Sequence, residues 1–417
     1  MKPTIEVSMI VKDGGATLAR CLKSVAAFAD RIIVGDTGST DESASIARAH
    51  GAEVIAIPWE DDFSRARNLV LAQRKCDWIL VIDADEMLDS SAGARIRASI
   101  ERPGIAAFHN WRWNYMRDAS TRLGFQMARP NPVLIEEAHV YPAYVPLPTT
   151  RLFRSHPGIY YEGCVHETVT RRVAALQLAT KFADFIVHHF GHAEDEEMER
   201  QRKNDLYQLL GERKLRENAD DPQALIEMGM AELENARRPS VALDYFERAC
   251  RLSPASGVGW LFAGICLVRL VRLPEALDRL SRAASLGMRN ALFYQAAGDA
   301  YFHGEKYTEA CAAYTQVAAL GEDSPLSEAK RGAAEVRLGH AKEGIARMRQ
   351  AVASAPAFSE LYDILATGAL LGGDVELAAE TAAARLRMGK TTEFHEQLAA
   401  VLQAQLQQQK ATLAVAV

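Results

Sequence analysis

A chain of 417 residues that is 48% apolar has material for two hydrophobic cores. Its 48 Lys and Arg against 54 Asp and Glu give a net charge of −6, which excludes the basic footprint of a nucleic-acid binder. Six dispersed cysteines, Cys21, Cys76, Cys164, Cys250, Cys266 and Cys311, exclude a Cys-x-x-Cys zinc site and read as reduced core thiols of a cytoplasmic protein.

The segment from Thr4 to Val11 reads as a buried strand, and the Leu18/Cys21/Leu22/Val25/Phe28 spacing behind it as a helix. A second strand, Arg31–Asp36, runs into Thr37-Gly38-Ser39-Thr40-Asp41 and then a helical Ser45/Ile46/Ala49 pattern. A third strand is expected over Ala52–Ile57, a helix over Phe63–Gln73, and a fourth strand from Trp78, ending in Asp83-Ala84-Asp85-Glu86. Strands alternating with helices imply parallel pairing and an α/β domain. Ligands of such sheets lie beyond the carboxyl ends of the strands. Lys12, Asp13, Asp36, Asp83 and Asp85 fall at those ends, and residues two apart on a strand point the same way. Carboxylates gathered on one rim suit a hard divalent cation shared with a diphosphate.

Four ordered blocks, Val7-Ser8-Met9-Ile10-Val11-Lys12-Asp13, Asp36-Thr37-Gly38-Ser39-Thr40-Asp41, Asp62-Phe63-Ser64-Arg65-Ala66-Arg67-Asn68 and Asp83-Ala84-Asp85-Glu86, resemble those of family 2 glycosyltransferases of the GT-A fold. The best likeness is to bacterial members that carry tetratricopeptide repeats behind the catalytic domain. The resemblance continues through Leu152-Phe153-Arg154, Gly163-Cys164-Val165-His166-Glu167 and Ile186-Val187-His188-His189. It implies a Rossmann-like GT-A domain over residues 1–193, a connecting helix over 194–218, and an all-α tetratricopeptide-repeat solenoid over 219–410. It also implies inverting transfer from a nucleotide-diphosphate sugar, with UDP-sugar the expected donor.

The donor set implied by these blocks is Val11, Lys12, Asp36, Gly38, Ser39, Arg67, Asn68, Asp83 and Ala84, with Asp36 on the nucleoside and Asp83 facing ribose and diphosphate. Asp85 is the expected ligand of Mg²⁺ or Mn²⁺, joined by His166 or His189. Negative charge grows on the leaving diphosphate, which a Lewis acid stabilises, and the acceptor must lose a proton to a general base. Glu167 is the first candidate for that base. A surface Glu paired with Arg171 or Arg172 is the plainer reading of the same residue.

Downstream, His109, Trp111, Trp113 and Tyr115 alternate onto one strand face, which reads as core more readily than as a stacking surface. The stretch from Pro130 to Pro148 reads as an irregular loop facing the acceptor. Beyond about residue 215 a period of 34 residues appears: Ala242, Ala276, Ala310, Gly344 and Ala378, each followed four residues later by Phe246, Leu280, Tyr314, Met348 and Ala382. Such a solenoid suits recruitment of a protein, peptide or glycan acceptor, or a homodimer contact. An alternative is a non-catalytic adaptor that binds sugar nucleotides and engages proteins through its repeats. The start, Met1-Lys2-Pro3, leads straight into a strand, so no signal peptide is expected, and no apolar run of membrane-spanning length occurs. The variant of this expectation is peripheral contact with the inner face of a membrane.

Overall fold

The computed structural model describes residues 2–120, 122–123, 126–165, 167–194, 197–234, 238–321, 324–389 and 393–415. The chain divides into two compact units, Met1–Arg117 with Val133–Ala219, and Asp118–Pro132 with Asp220–Val417.

In the first unit the strands are β1 (Ile5–Val11), β2 (Arg31–Asp36), β3 (Glu53–Ala56), β4 (Trp78–Val81), β5 (Glu86–Leu88) and β6 (Ala107–Met116). Three short strands, β7 (Arg122–Leu123), β8 (Gln126–Met127) and β9 (Arg129–Pro130), fall in the segment that groups with the second unit, and β10 (Ala143–Arg154) and β11 (Thr180–His189) complete the set. The main sheet runs β3-β2-β1-β4-β10-β6-β11-β5. The pairs β1–β2, β1–β4 and β2–β3 are parallel, so Val11, Asp36 and Val81 end on one rim, with Val11 directly opposite Asp36. β10 runs antiparallel to both β4 and β6, and β11 lies parallel to β6 and antiparallel to β5.

Only residues 82–85 join β4 to β5, although β5 sits four places away in the sheet. Flat, those four spacings would span about 19 Å. The five Cα steps from Val81 to Glu86 reach at most about 18 Å fully extended, and this link is folded into a turn, with Glu86 N donating to Asp83 O at 3.0 Å. The sheet therefore curls into a half-barrel, which brings β5 back beside the tip of β4.

Helices cover both faces. α1 (Gly15–Ala26) and α4 (Ala92–Ile100) bury Leu18, Leu22, Ile96 and Ile100 against Val7, Trp78, Leu80 and Phe108. Between them in the chain lie α2 (Ser43–Ala49) and α3 (Phe63–Leu71). On the opposite face Leu71 of α3 and Val173 of α5 (Thr170–Ala175) pack on Ile79, Val81, Ala107 and Phe153. Alternation along β4 sorts Trp78 and Leu80 from Ile79 and Val81. The short α6 (Gly191–Glu194) and the long α7 (Glu197–Glu217) close the unit.

Two expectations change. Pro146 and Pro148 lie not in a loop but in β10, opposite Trp113 and Trp111. β4 pairs only with Leu152, Phe153 and Arg154, so this stretch is not flanked by β4, the kind of setting in which a strand tolerates proline. The aromatic row of β6 is also not uniformly core. Tyr115 is buried and Trp113 stacks on Tyr144 at 3.9 Å, but Trp111 stays 37% exposed.

The second unit is built of helix pairs: α8 (Pro222–Glu234) with α9 (Pro239–Leu252), α10 (Gly257–Arg269) with α11 (Leu273–Ser285), α12 (Ala291–His303) with α13 (Tyr307–Ala319), α14 (Pro325–Arg337) with α15 (Ala341–Ser354), and α16 (Ser359–Leu371) with α17 (Val375–Arg387), followed by α18 (Glu393–Val415). The period of 34 places Ala242, Ala276, Ala310, Gly344 and Ala378 in the second helix of each pair, all buried. A glycine of the first helix faces the large residue of the second. A Cβ on Gly264 would stand 2.8 Å from Leu280, and one on Gly298 would stand 2.5 Å from Tyr314. At Gly332 the obstacle is backbone, the carbonyl oxygen of Gly344 at 2.6 Å. Trp260 Nε1 donates to Pro254 O and Tyr362 Oη to Pro356 O, both at 3.1 Å, tying first helices to the turns before them. The chain therefore combines a GT-A-type α/β domain with an all-α tetratricopeptide-repeat solenoid. Among the described residues no helix is long and apolar enough to cross a membrane.

Gly332→Ala tests this packing. In an exposed helix the change would gain roughly 1 kcal/mol of propensity. Here overpacking against a main-chain atom costs about 1–3 kcal/mol, so we expect a lower melting temperature for the helical unit by calorimetry. A variant melting at or above wild type would contradict the close approach.

Candidate functional site

The rim is organised around Asp83. Its Oδ1 accepts from Arg67 Nη2 at 2.7 Å and its Oδ2 from Arg151 Nη2 at 2.8 Å. Arg67, on α3, also donates through Nε to Glu167 Oε1 at 2.6 Å. Arg151, on β10, donates to Glu86 Oε1 at 2.7 Å, and Glu86 Oε2 accepts the backbone N–H of Asp83 at 2.9 Å. Two guanidiniums thus hold three carboxylates in one chain of charge-assisted hydrogen bonds. Burial pushes the pKa of Asp83 up, but Arg151 and Arg67 overcome this and hold it well below the usual carboxylate range. Glu86 has no exposed surface, and burial outweighs Arg151 there, leaving its pKa raised.

Asp85 stands apart from that network. Its Oδ2 lies 3.3 Å from Nε2 of His189. On the far side of the ring, His189 Nδ1 is 2.8 Å from Asn114 Oδ1. Asn114 spends its amide N–H₂ on Val145 O at 3.1 Å, so its oxygen faces the imidazole and Nδ1 must carry the hydrogen. Nε2 then faces a carboxylate oxygen, close enough for a proton or a cation to be shared between them. Burial pushes the Asp85 pKa up, and His189 more than offsets it. Gly191 makes room, since a Cβ there would fall 2.1 Å from Asp85 Oδ2. Among the described residues no group of three His, Cys, Asp or Glu forms a metal cage. The donor set of one carboxylate and one oriented imidazole nonetheless fits Mg²⁺ or Mn²⁺, which keep water and phosphate oxygens as further ligands.

On the neighbouring strand ends, Asp36 Oδ1 accepts the backbone N–H groups of Ser39 at 2.8 Å and Gly38 at 3.1 Å, and Gly38 has a positive φ of 100°. That turn docks on the end of β1: Val11 O accepts Thr37 N at 2.9 Å, and Ser39 Oγ accepts Asp13 N at 3.0 Å. Lys12 is exposed on the same rim, and Ala84 sits between the two aspartates. Asn68 differs in kind. Both ends of its amide are engaged by the Tyr161 backbone, at 2.9 and 2.8 Å, so the side chain clamps two segments together. Glu167 pairs with Arg67, while Arg172 faces Glu162 at 3.9 Å. His166 lies outside the described residues.

Sequence reasoning missed Arg151, which reads as an ordinary strand residue until β10 is placed beside β4. It also missed Tyr207 of α7, whose ring lies 5.9 Å from Phe63. Burial, then Glu167, Asp83 and Asp85, push its phenol up to about 12.

The rim thus joins acidic strand ends, an aspartate-held turn and an aspartate–histidine pair on a curled α/β sheet. Residues 7–154 match the model of Glycosyl transferase family 2, and the chain carries a domain of that family. A TPR repeat-containing protein of Synechococcus elongatus is 33% identical over 213 residues, 49% of this chain and 47% of that protein. The SPbeta prophage-derived glycosyltransferase SunS of Bacillus subtilis is 27% identical over 251 residues, 59% of this chain and 53% of that one. The chain thus spans about half the length of these curated relatives. Among solved structures, the crystal structure of the APC/C hetero-tetramer Cut9-Hcn1 is similar at 15% identity and TM-score 0.43, covering 48% of this chain and 40% of that one.

Proposed function

We propose that the protein is an inverting glycosyltransferase that moves a sugar from a nucleotide-diphosphate sugar, with UDP-sugar the expected donor, to a protein, peptide or glycan acceptor. The observation that carries this reading is the Asp85–His189 pair, a carboxylate oxygen and an imidazole nitrogen facing each other on the rim that also bears Asp36. Asp36, Gly38 and Ser39, with Val11 and Lys12 beside them, form the nucleoside end of the site. Asp83 and Ala84 lie between that end and Asp85. Mg²⁺ or Mn²⁺ held by Asp85 and His189 would supply Lewis-acid charge to the leaving diphosphate. Glu167 is the base, taking the proton from the acceptor, and Arg67 orients its carboxylate while anchoring Asp83. Inversion follows from a single in-line displacement with acceptor and leaving group on opposite sides of the anomeric carbon. The repeats are assigned to acceptor recruitment.

Incubation with a panel of nucleotide sugars and Mn²⁺ should release nucleoside diphosphate. A protein that neither binds nor consumes any of them would sink the proposal. Glu167→Gln keeps the hydrogen bond to Arg67 but removes the base, and should lower kcat by roughly 10²–10⁴-fold with little change in donor KM. An unchanged kcat would move the base elsewhere.

A further inference from the structure

The aromatic row that falls short of full burial lies beside this site. Odd-numbered residues of β6 share the face of Ala107, which is packed beneath α3 and α5. Glu167 leads into α5, so it belongs to that same face. β6 runs in the direction of β4, and its register through β10 carries it past the rim. Ala107 lies opposite Phe153, which lies opposite Ile79, and four residues further along Trp111 lies opposite Pro148. Pro148 lies four residues beyond Leu152, the last β10 residue paired with β4, so Trp111 stands past the end of β4 on the rim side, two strands away.

At this position Trp111 and Phe182 are 37% and 51% exposed, with ring centroids 5.6 Å apart and planes inclined by 35°. His109 lies 5.5 Å from Phe182 on its other side. A line of hydrogen bonds then leads to the base: His109 Nδ1 to Thr150 Oγ1 at 2.8 Å, Thr150 to Thr170 at 3.1 Å, and Thr168 to Thr170 at 3.0 Å, with Thr168 next to Glu167 in the chain. Exposed aromatic rings, hydroxyls and an imidazole make up this patch, and none carries a fixed charge.

We propose that Trp111 and Phe182 form a stacking platform for a neutral carbohydrate acceptor, whose next hydroxyl is delivered toward Glu167. The assignment rests on the transferase reading and narrows its acceptor to a glycan. The C–H groups of a pyranose ring carry partial positive charge and lie well on the negative face of an aromatic ring. Its hydroxyls match the Thr150, Thr170 and His109 edge. A peptide has less to hold here. β6 has β10 on one side and β11 on the other, so no strand can add beside Trp111, and the outer edge of β11 at Phe182, which β5 leaves uncovered, is what the peptide arm of the test reads.

The test is binding of the full-length protein to an array of neutral hexose and N-acetylhexosamine oligosaccharides beside a peptide array, with the best oligosaccharide titrated by calorimetry. We expect oligosaccharide binding that weakens about tenfold or more in Trp111→Ala and in Phe182→Ala, and that Trp111→Phe largely restores. Melting curves of each variant check folding, and Phe182→Ala reads the same platform if Trp111→Ala does not fold. Binding of peptides alone, no oligosaccharide binding, or affinity unchanged in the folded variants overturns the platform. Nucleotide-sugar binding is titrated on the same wild-type sample. Oligosaccharide binding without it upholds the platform and removes the transferase reading. Nucleotide-sugar binding without oligosaccharide binding removes the platform alone.

Discussion

Arg151→Ala should destabilise the N-terminal unit by about 3–5 kcal/mol, the cost of removing the closest cation from the buried Glu86 while Asp83 keeps Arg67. Arg151 is the residue that touches both Asp83 and Glu86. Glu86 has no exposed surface, so water cannot take over from the lost guanidinium. For a unit of this size each kcal/mol corresponds to roughly 2–4 °C, and the N-terminal transition should fall by on the order of 10 °C in calorimetry. Because the chain has two units, the measurement must follow that transition alone rather than fit one two-state curve. Combining Arg151→Met with Glu86→Gln should recover much of the loss, since it removes both charges. A single variant that melts within about 1 kcal/mol of wild type would show that the network does not hold the rim together.

Asp85→Asn should do the opposite: nucleoside diphosphate release falls on the order of 10²–10³-fold, while stability hardly changes. Among the described residues His189 is the side chain that holds Asp85, and it more than offsets the burial that opposes ionisation. Exchanging it for the isosteric amide gives up that small net gain together with the burial cost, and the two largely cancel. The discriminating measurement is thermal stability with Mn²⁺. A cation that binds the native state alone raises the melting temperature, so Mn²⁺ should stabilise wild type and leave the variant unmoved. Equal stabilisation of both proteins would place the cation elsewhere.

The contrast between the two sites explains what could be read in advance. Asp83 and Asp85 announce themselves because an apolar strand ends in them, and strand ends on one rim follow from alternating strands and helices. The repeat array is equally plain. Its helix pairs are local, and a glycine sixteen residues before a large side chain is visible in the sequence, as with Gly264 and Leu280. Arg151 could not be found that way. Its role depends on β10 lying antiparallel to β4, a pairing between segments about 70 residues apart that no local pattern encodes. The prolines of β10 misled for a related reason, since proline argues against a strand only where the ladder needs its N–H. Trp111 and Trp113 are two residues apart on one face, yet one stacks on Tyr144 and the other meets solvent; only the neighbouring strands decide which. Tyr207 belongs to a charged helix whose sequence gives no hint of a site.

The short link between β4 and β5 has a further consequence. Asp83, Ala84 and Asp85 are anchored at both ends in strands, and Phe190 N donates to Asp85 O at 3.1 Å, so this turn has no freedom to order itself around a ligand. The entropy of fixing these carboxylates is spent during folding rather than at each encounter with substrate. Lengthening the turn by even one residue would loosen the closure of the half-barrel and the grip on the diphosphate in the same stroke.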